Sequence, residues 1–177
     1  MKPKRHAAFT QAVLHVTNRL RSINNDLNTA THASKAVQRM SSTVIRHFDK
    51  AAVDSATADF SANALAPWEL QMACEKTMKA YLWQIEGRYP ETHDLRVLNR
   101  IAEETLQWPE GKSTLADFPS EKRVIRWRYA ELSAPLPSEL WRMYGAAIEL
   151  CHAYSSRMSR KFIFNNFTVH LRRAPWH

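Results

Sequence analysis

The sequence predicts an all-α protein with a short extended or β-like tail. Three observations lead to that class. Apolar residues recur three and four apart through most of the 177 residues, the spacing that lines one face of a helix. Only three glycines occur and 45% of residues are hydrophobic, which favours a packed helical chain over a disordered one. The pattern changes only near the end, where β-branched and aromatic residues crowd together.

Met1 to Arg5 form a basic lead-in. From about His6 to Asn28, Phe9, Val13, Val16, Leu20, Ile23 and Leu27 alternate by four and three, a heptad-like seam. Such a seam packs on its own core or on a second subunit, and the first is preferred. His15, Arg19 and Arg21 fall on its polar side. Asn28 to Ser34 is a linker rich in capping residues. Val37, Met40, Val44 and Phe48 mark a second helix ending around Ala52 to Ser55, with Arg39, Arg46, His47 and Lys50 as a solvated basic face. Asp54 to Ala66 is small and polar, and Asp59 or Ser61 can cap a lead into Pro67.

The stretch from Pro67 to Arg100 organises the rest. Leu70, Cys74, Thr77, Met78, Tyr81 and Ile85 share one face of a helix wound at about 3.6 residues per turn. Glu75, Lys79 and Glu86 lie opposite. Pro67 suits a first helical position or a kink. Gly87 suits the left-handed residue past the end, and Pro90 keeps Tyr89 out of the helical region. Thr92 fits the N-cap of the next helix, and Asp94 complements its positive end. Leu95, Leu98, Ile101 or Ala102, and Leu106 carry its apolar stripe.

Trp108 to Pro119 reads as a loop. From Ser120 a helix follows, with Val124, Ile125, Tyr129 and Leu132 apolar, broken at Ala134 to Pro137. Ser138 is the expected cap of the last long helix, which reaches Arg160. Trp141, Tyr144, Ile148, Cys151 and Met158 form its expected buried stripe. In the tail, Lys161 to Leu171, Asn165-Asn166 can turn a small hairpin. A lone hairpin is marginal, so the tail is expected to pack on a partner or across a dimer. The organisation is thus 1–33, an N-terminal helix and linker; 34–160, a helical bundle; and 161–177, a basic and aromatic tail.

Net charge is +8 and the pI about 9.8, which suits a polyanionic partner. Cys74 and Cys151 each sit on an apolar stripe and read as buried reduced thiols. No Cys/His spacing suggests zinc, and no P-loop, nucleophile elbow or metal triad occurs, so neither cofactor nor metal is expected. No apolar run of about 18 residues suggests a membrane span. The basic N-terminus lacks an apolar signal core, so the expected location is cytoplasmic.

Glu75-Lys76-Thr77-Met78-Lys79-Ala80-Tyr81-Leu82, followed by Thr92-His93-Asp94-Leu95, resembles the HEPN family, the higher eukaryotes and prokaryotes nucleotide-binding domain. Arg126-Trp127-Arg128-Tyr129 resembles the Arg-Tyr element many members carry before their last helix. The similarity covers roughly Ser34 to Met158. It implies an antiparallel bundle of four or five helices, usually dimeric. Some members accompany nucleotidyltransferases, and others are metal-independent RNases.

Arg88-Tyr-Pro-Glu-Thr-His93 satisfies the Arg-x4-His pattern of the RNase members. A histidine exchanges protons near neutral pH, and an arginine fork holds phosphate. In those members, however, the pair belongs to the last core helix, and here it precedes His-Asp-Leu. A structural role for His93 is therefore preferred, pairing with Glu75, Arg128 or Tyr129. The nucleotide-binding implication makes Lys76, Lys79, His93, Arg126, Arg128 and Tyr129 the candidates for contacting phosphate or a base. Trp83 and Trp127 read as packing residues. Three functions follow: a non-catalytic module binding nucleotide or RNA, or serving a nucleotidyltransferase or antitoxin-type partner; a ribonuclease using Arg88 and His93; or a dimerisation scaffold.

Overall fold

The structure, a computed structural model, describes residues 3–31, 34–57, 60–106, 115–116, 118–165 and 167–172. It is all-α with a small two-stranded tail. The elements are α1 (Pro3–Thr29), α2 (Lys35–Ser42), α3 (Val44–Ala56), α4 (Phe60–Glu86), α5 (Leu95–Leu106), α6 (Glu121–Arg128), α7 (Pro137–Ser155), β1 (Arg160–Phe164) and β2 (Phe167–Leu171). Most of the loop expected at 108–119 lies outside the described residues, as do Asp59 and Asn166. No helix among the described residues is long and apolar enough to cross a membrane.

The core is built around α4. Leu70, Ala73, Cys74, Met78, Ala80, Tyr81 and Leu82 are all buried, so this helix is covered on most sides. Pro67 lies inside it rather than starting it. Only Ile85, at the end of the expected stripe, is exposed.

The chain directions around α4 differ from the antiparallel stack expected for this bundle. α3 does run against α4: Lys76 reaches Thr43, and Glu69 reaches His47 and Lys50. The other two neighbours run with it. Along α7, Cys151 lies against Cys74 and Tyr154 against Tyr81, while Ser159 just beyond meets Gln84. Along α5, His93 at the start meets Glu75 and Thr105 near the end meets Glu86. The chain must therefore return between α4 and α5. Residues 87–94 do so as an extended strap. Eight extended residues reach roughly 26 Å, and Glu75 to Glu86 rises only about 16 Å along a helix.

Other differences have local causes. The single helix expected from Val37 to about Ser55 breaks at Thr43. There Ser42 and Thr43 turn their hydroxyls back to the carbonyls of Arg39 and Met40, at 2.9 and 2.8 Å, competing with the backbone. Asp94, not Thr92, caps α5: its Oδ1 accepts from Arg96 N at 2.8 Å, while Thr92 caps one step earlier. Ser120 caps α6, its hydroxyl accepting from Arg123 N. α6 then ends at Arg128, and Ala130 turns the chain at φ +57°. That ending buries Trp127 and leaves Tyr129 in solvent. α7 opens on Pro137 at its first turn, with no side-chain cap from Ser138, and Trp141 is exposed while Ile148, Cys151 and Met158 are buried.

α1 lies along α7, with Arg19 3.4 Å from Glu149, and its Asp26 holds Arg160 at the start of β1 at 2.7 Å. Only its second half joins the core. Ile23 and Leu27 are buried, whereas Phe9 and Val13 of the same seam are exposed. Cys74 and Cys151 are free and buried, with their sulfurs 3.9 Å apart, and burial pushes the Cys74 thiol well above its usual range. β1 and β2 form an antiparallel hairpin in which Phe164 faces Phe167, with Asn165 at φ +35° in the turn.

Candidate functional site

A row of four side chains on α4 receives the strap. Gln71, Glu75, Lys79 and Trp83 stand four residues apart, so they share one side of the helix. Gln71 Nε2 donates to the His93 carbonyl at 3.0 Å. Glu75 accepts from His93 Nδ1 at 3.0 and 3.1 Å and from Lys79 Nζ at 2.8 Å. Lys79 in turn lies 5.3 Å from the centre of the Tyr89 ring, and Tyr89 packs on Trp83 at 5.8 Å. Glu75 and Lys79 are therefore buried under the strap instead of facing solvent opposite the core stripe.

The strap presents three outward polar side chains, Arg88, Glu91 and His93. The Arg88 side chain is 85% exposed, with only a 4.0 Å approach to Glu86. The His93 side chain is 60% exposed, but its ring orientation is set by buried Glu75. A carboxylate only accepts, so Nδ1 carries the proton and Nε2 is the nitrogen left for a ligand. Arg88, Tyr89 and Pro90, with Glu86 and Ile101, line a cleft of about 330 Å³ beside the strap.

The remaining candidate residues are not gathered at this place. Lys76 points toward α3. Its ammonium donates to Thr43 Oγ1 at 2.8 Å and to His47 Nε2 at 2.7 Å. His47 Nδ1 donates to Glu69 at 2.6 Å, and Glu69 also holds Lys50 at 3.2 Å. An acceptor on one nitrogen and a donor on the other require His47 to be neutral. Burial pushes the His47 imidazole below its ordinary value, and the Lys76 charge adds to this against the pull of Glu69. Burial likewise pulls the Lys76 ammonium down. Burial tends to raise Glu69, but the hydrogen bonds from His47 and Lys50 prevail and hold it below the usual carboxylate value.

Arg126, Arg128 and Tyr129 occupy α6 and its end. Arg126 pairs with Glu131 at 3.5 Å. The Arg128 guanidinium covers the Trp68 ring at 3.9 Å. Tyr129 is exposed, and Trp127 is a core residue whose Nε1 donates to the Ser133 carbonyl at 2.9 Å. Among the described residues, no hydrogen bond or ion pair joins these three to Lys76, Lys79 or His93.

The role of Glu75 in orienting His93 was among the pairings the sequence suggested. Gln71 and Tyr89 were missed. The four-residue spacing of Gln71, Glu75 and Lys79 was the available signal, but it resembles a solvated helix face until something covers it. Among the described residues, no three His, Cys, Asp or Glu side chains cluster as a metal site requires. No family model, curated protein or solved structure matches the chain.

Proposed function

We propose that this chain is a non-catalytic helical module that binds nucleotide or nucleic acid through phosphate contacts at the strap. One observation carries the proposal. Exposed Arg88 lines an open cleft of about 330 Å³ at one end of the strap, and the carboxylate-oriented imidazole of His93 stands exposed at the other end. An arginine fork suits phosphate, and the basic balance of the chain favours a polyanion. The shared direction of α4 and α5 departs from the antiparallel pairing that the HEPN resemblance implies. The proposal therefore rests on the strap and not on the family.

Nucleotides should raise the melting temperature, and RNA should be retained on purification. Arg88→Ala should weaken binding by roughly 10- to 100-fold, the worth of a charge-assisted hydrogen bond. A protein indifferent to both ligands contradicts the proposal. A nucleotidyltransferase or antitoxin-type partner, or a second copy of the chain, fits the same role and would appear by co-purification or in the mass in solution.

A ribonuclease is the second reading, favoured by the Glu75–His93 contact. A carboxylate on Nδ1 leaves Nε2 to exchange a proton with a ribose 2′-OH, while Arg88, at the Glu86 end of the strap, would hold a phosphate further along the strand. Metal-free cleavage of RNA by the wild type, lost in both Arg88→Ala and His93→Ala, would establish it. Cleavage unchanged in both variants removes these residues from any mechanism.

A further inference from the structure

Between α3 and α4, away from the strap, Lys76 differs from the lysines around it. Lys50 and Lys79 are held by carboxylates, Lys50 by Asp54 and Glu69 and Lys79 by Glu75. Lys76 has no carboxylate partner among the described residues. Its two acceptors are uncharged: Thr43 Oγ1 at 2.8 Å and Nε2 of neutral His47 at 2.7 Å. Thr43 gives its own hydroxyl proton to the Met40 carbonyl at 2.8 Å, so towards Lys76 it only accepts. Behind His47, Glu69 accepts from Nδ1 at 2.6 Å and is held in turn by Lys50 at 3.2 Å. Amine, imidazole and carboxylate thus stand in line as nucleophile, base and orienting group.

The same contacts aim the nitrogen. Of its tetrahedral positions, one is the bond to Cε, and N–H groups directed at Thr43 and His47 take two more. The last meets no acceptor among the described residues, and in the neutral amine the lone pair sits there. Lys76 and His47 are both half-buried, neither sealed in the core nor free in water. Burial pulls the Lys76 ammonium below its ordinary value; Glu75 and Glu69 on α4 oppose this, and Arg46 on α3 adds to it. Loss of water around a lysine is a general route to a reactive amine at neutral pH.

We propose that Lys76 is a nucleophilic lysine that forms an imine with small aldehydes, with His47 as its base and Glu69 as the group that orients His47. This goes beyond the strap reading and does not depend on it. The lone pair of Lys76 adds to the carbonyl carbon, and the C=O π pair moves to oxygen, which takes a proton from water. His47 Nε2 removes one proton from the nitrogen, and the Glu69 carboxylate stabilises the imidazolium so formed. His47 then gives that proton to the new hydroxyl, which leaves as water while the nitrogen lone pair forms the C=N bond. The protonated imine ends with the positive charge the lysine had at the start, and no oxidant or reductant is consumed.

The test treats the full chain at neutral pH with acetaldehyde and cyanoborohydride, which reduces an imine to a stable ethyl-lysine. Peptide mass spectrometry then follows each lysine over time. Lys76 should react at least about tenfold faster than exposed Lys35, Lys122 and Lys161. His47→Gln should slow Lys76 by about tenfold or more, with the rates at Lys35 and Lys122 and the circular dichroism unchanged. Glu69→Gln keeps the imidazole and should give an intermediate rate at Lys76. Lys76→Arg should leave no fast site. A Lys76 that reacts no faster than the exposed lysines overturns the proposal and makes the cluster a clamp between α3 and α4. So does an advantage that survives His47→Gln, because burial alone would then account for it.

Discussion

Glu75→Ala should be the most damaging single polar substitution at the strap. The side chains of Glu75 and Lys79 are 6% and 9% exposed and lie 2.8 Å apart. Removing the carboxylate leaves a buried ammonium whose remaining neighbour is the Tyr89 ring face, and it also releases His93. Breaking a buried pair from one side costs about 3–5 kcal/mol. The His93 contact adds little, because that ring is mostly in solvent. At roughly 2–4 °C per kcal/mol for a chain of this size, the melting temperature should drop by about 10 °C. Glu75→Met/Lys79→Met removes both charges and should recover most of the loss. Urea and thermal unfolding followed by far-UV circular dichroism measure both effects. A loss below about 1 kcal/mol in Glu75→Ala, or a double variant no better than the single, would refute the claim that this pair is buried and fixes the strap.

Two further predictions concern the core and the α3–α4 cluster. Neutral His47 accepts from Lys76, so its folded-state value lies below the ordinary 6.5. The unfolded chain then takes up the proton first, and the stability this group contributes is present above about pH 6.5 and lost as pH falls. The urea midpoint should decline from pH 7 towards 5 more steeply in the wild type than in His47→Gln; parallel profiles would count against it. Trp127→Ala should cost about 3–5 kcal/mol as a buried aromatic truncation. Tyr129→Ala, two residues on, should stay within about 0.5 kcal/mol. Equal losses at the two positions would mean that α6 is wrongly phased.

Much of the fold was legible in local chemistry. The apolar residues of α4 and the Gly87 ending at φ +69° both report their own neighbourhood. The hairpin turn at Asn165, between Phe164 and Phe167, does the same. What the sequence hid was set over distance. Periodicity gives the face of a helix but not its direction against its neighbours, so the co-directional course of α4, α5 and α7 was invisible. The Gln71–Glu75–Lys79 row has the composition of a solvated face, and only the returning strap buries it. Trp127 packs inward as read, but Tyr129, expected among the apolar positions of a helix reaching Leu132, is left in solvent because α6 ends four residues short of it. At the candidate site, Arg88 and His93 were readable as a pair along the chain. The commitment of Lys76 to His47 was not, because it depends on α3 lying against α4.

The strap proposal is tested most directly by the salt dependence of RNA affinity, measured by anisotropy for the wild type and Arg88→Ala over a range of salt concentrations. If Arg88 contacts a phosphate, the variant should bind more weakly, and its plot of log affinity against log salt should be shallower by about 0.7 for a single strand. An Arg88→Ala protein with the affinity and slope of the wild type would contradict the proposal.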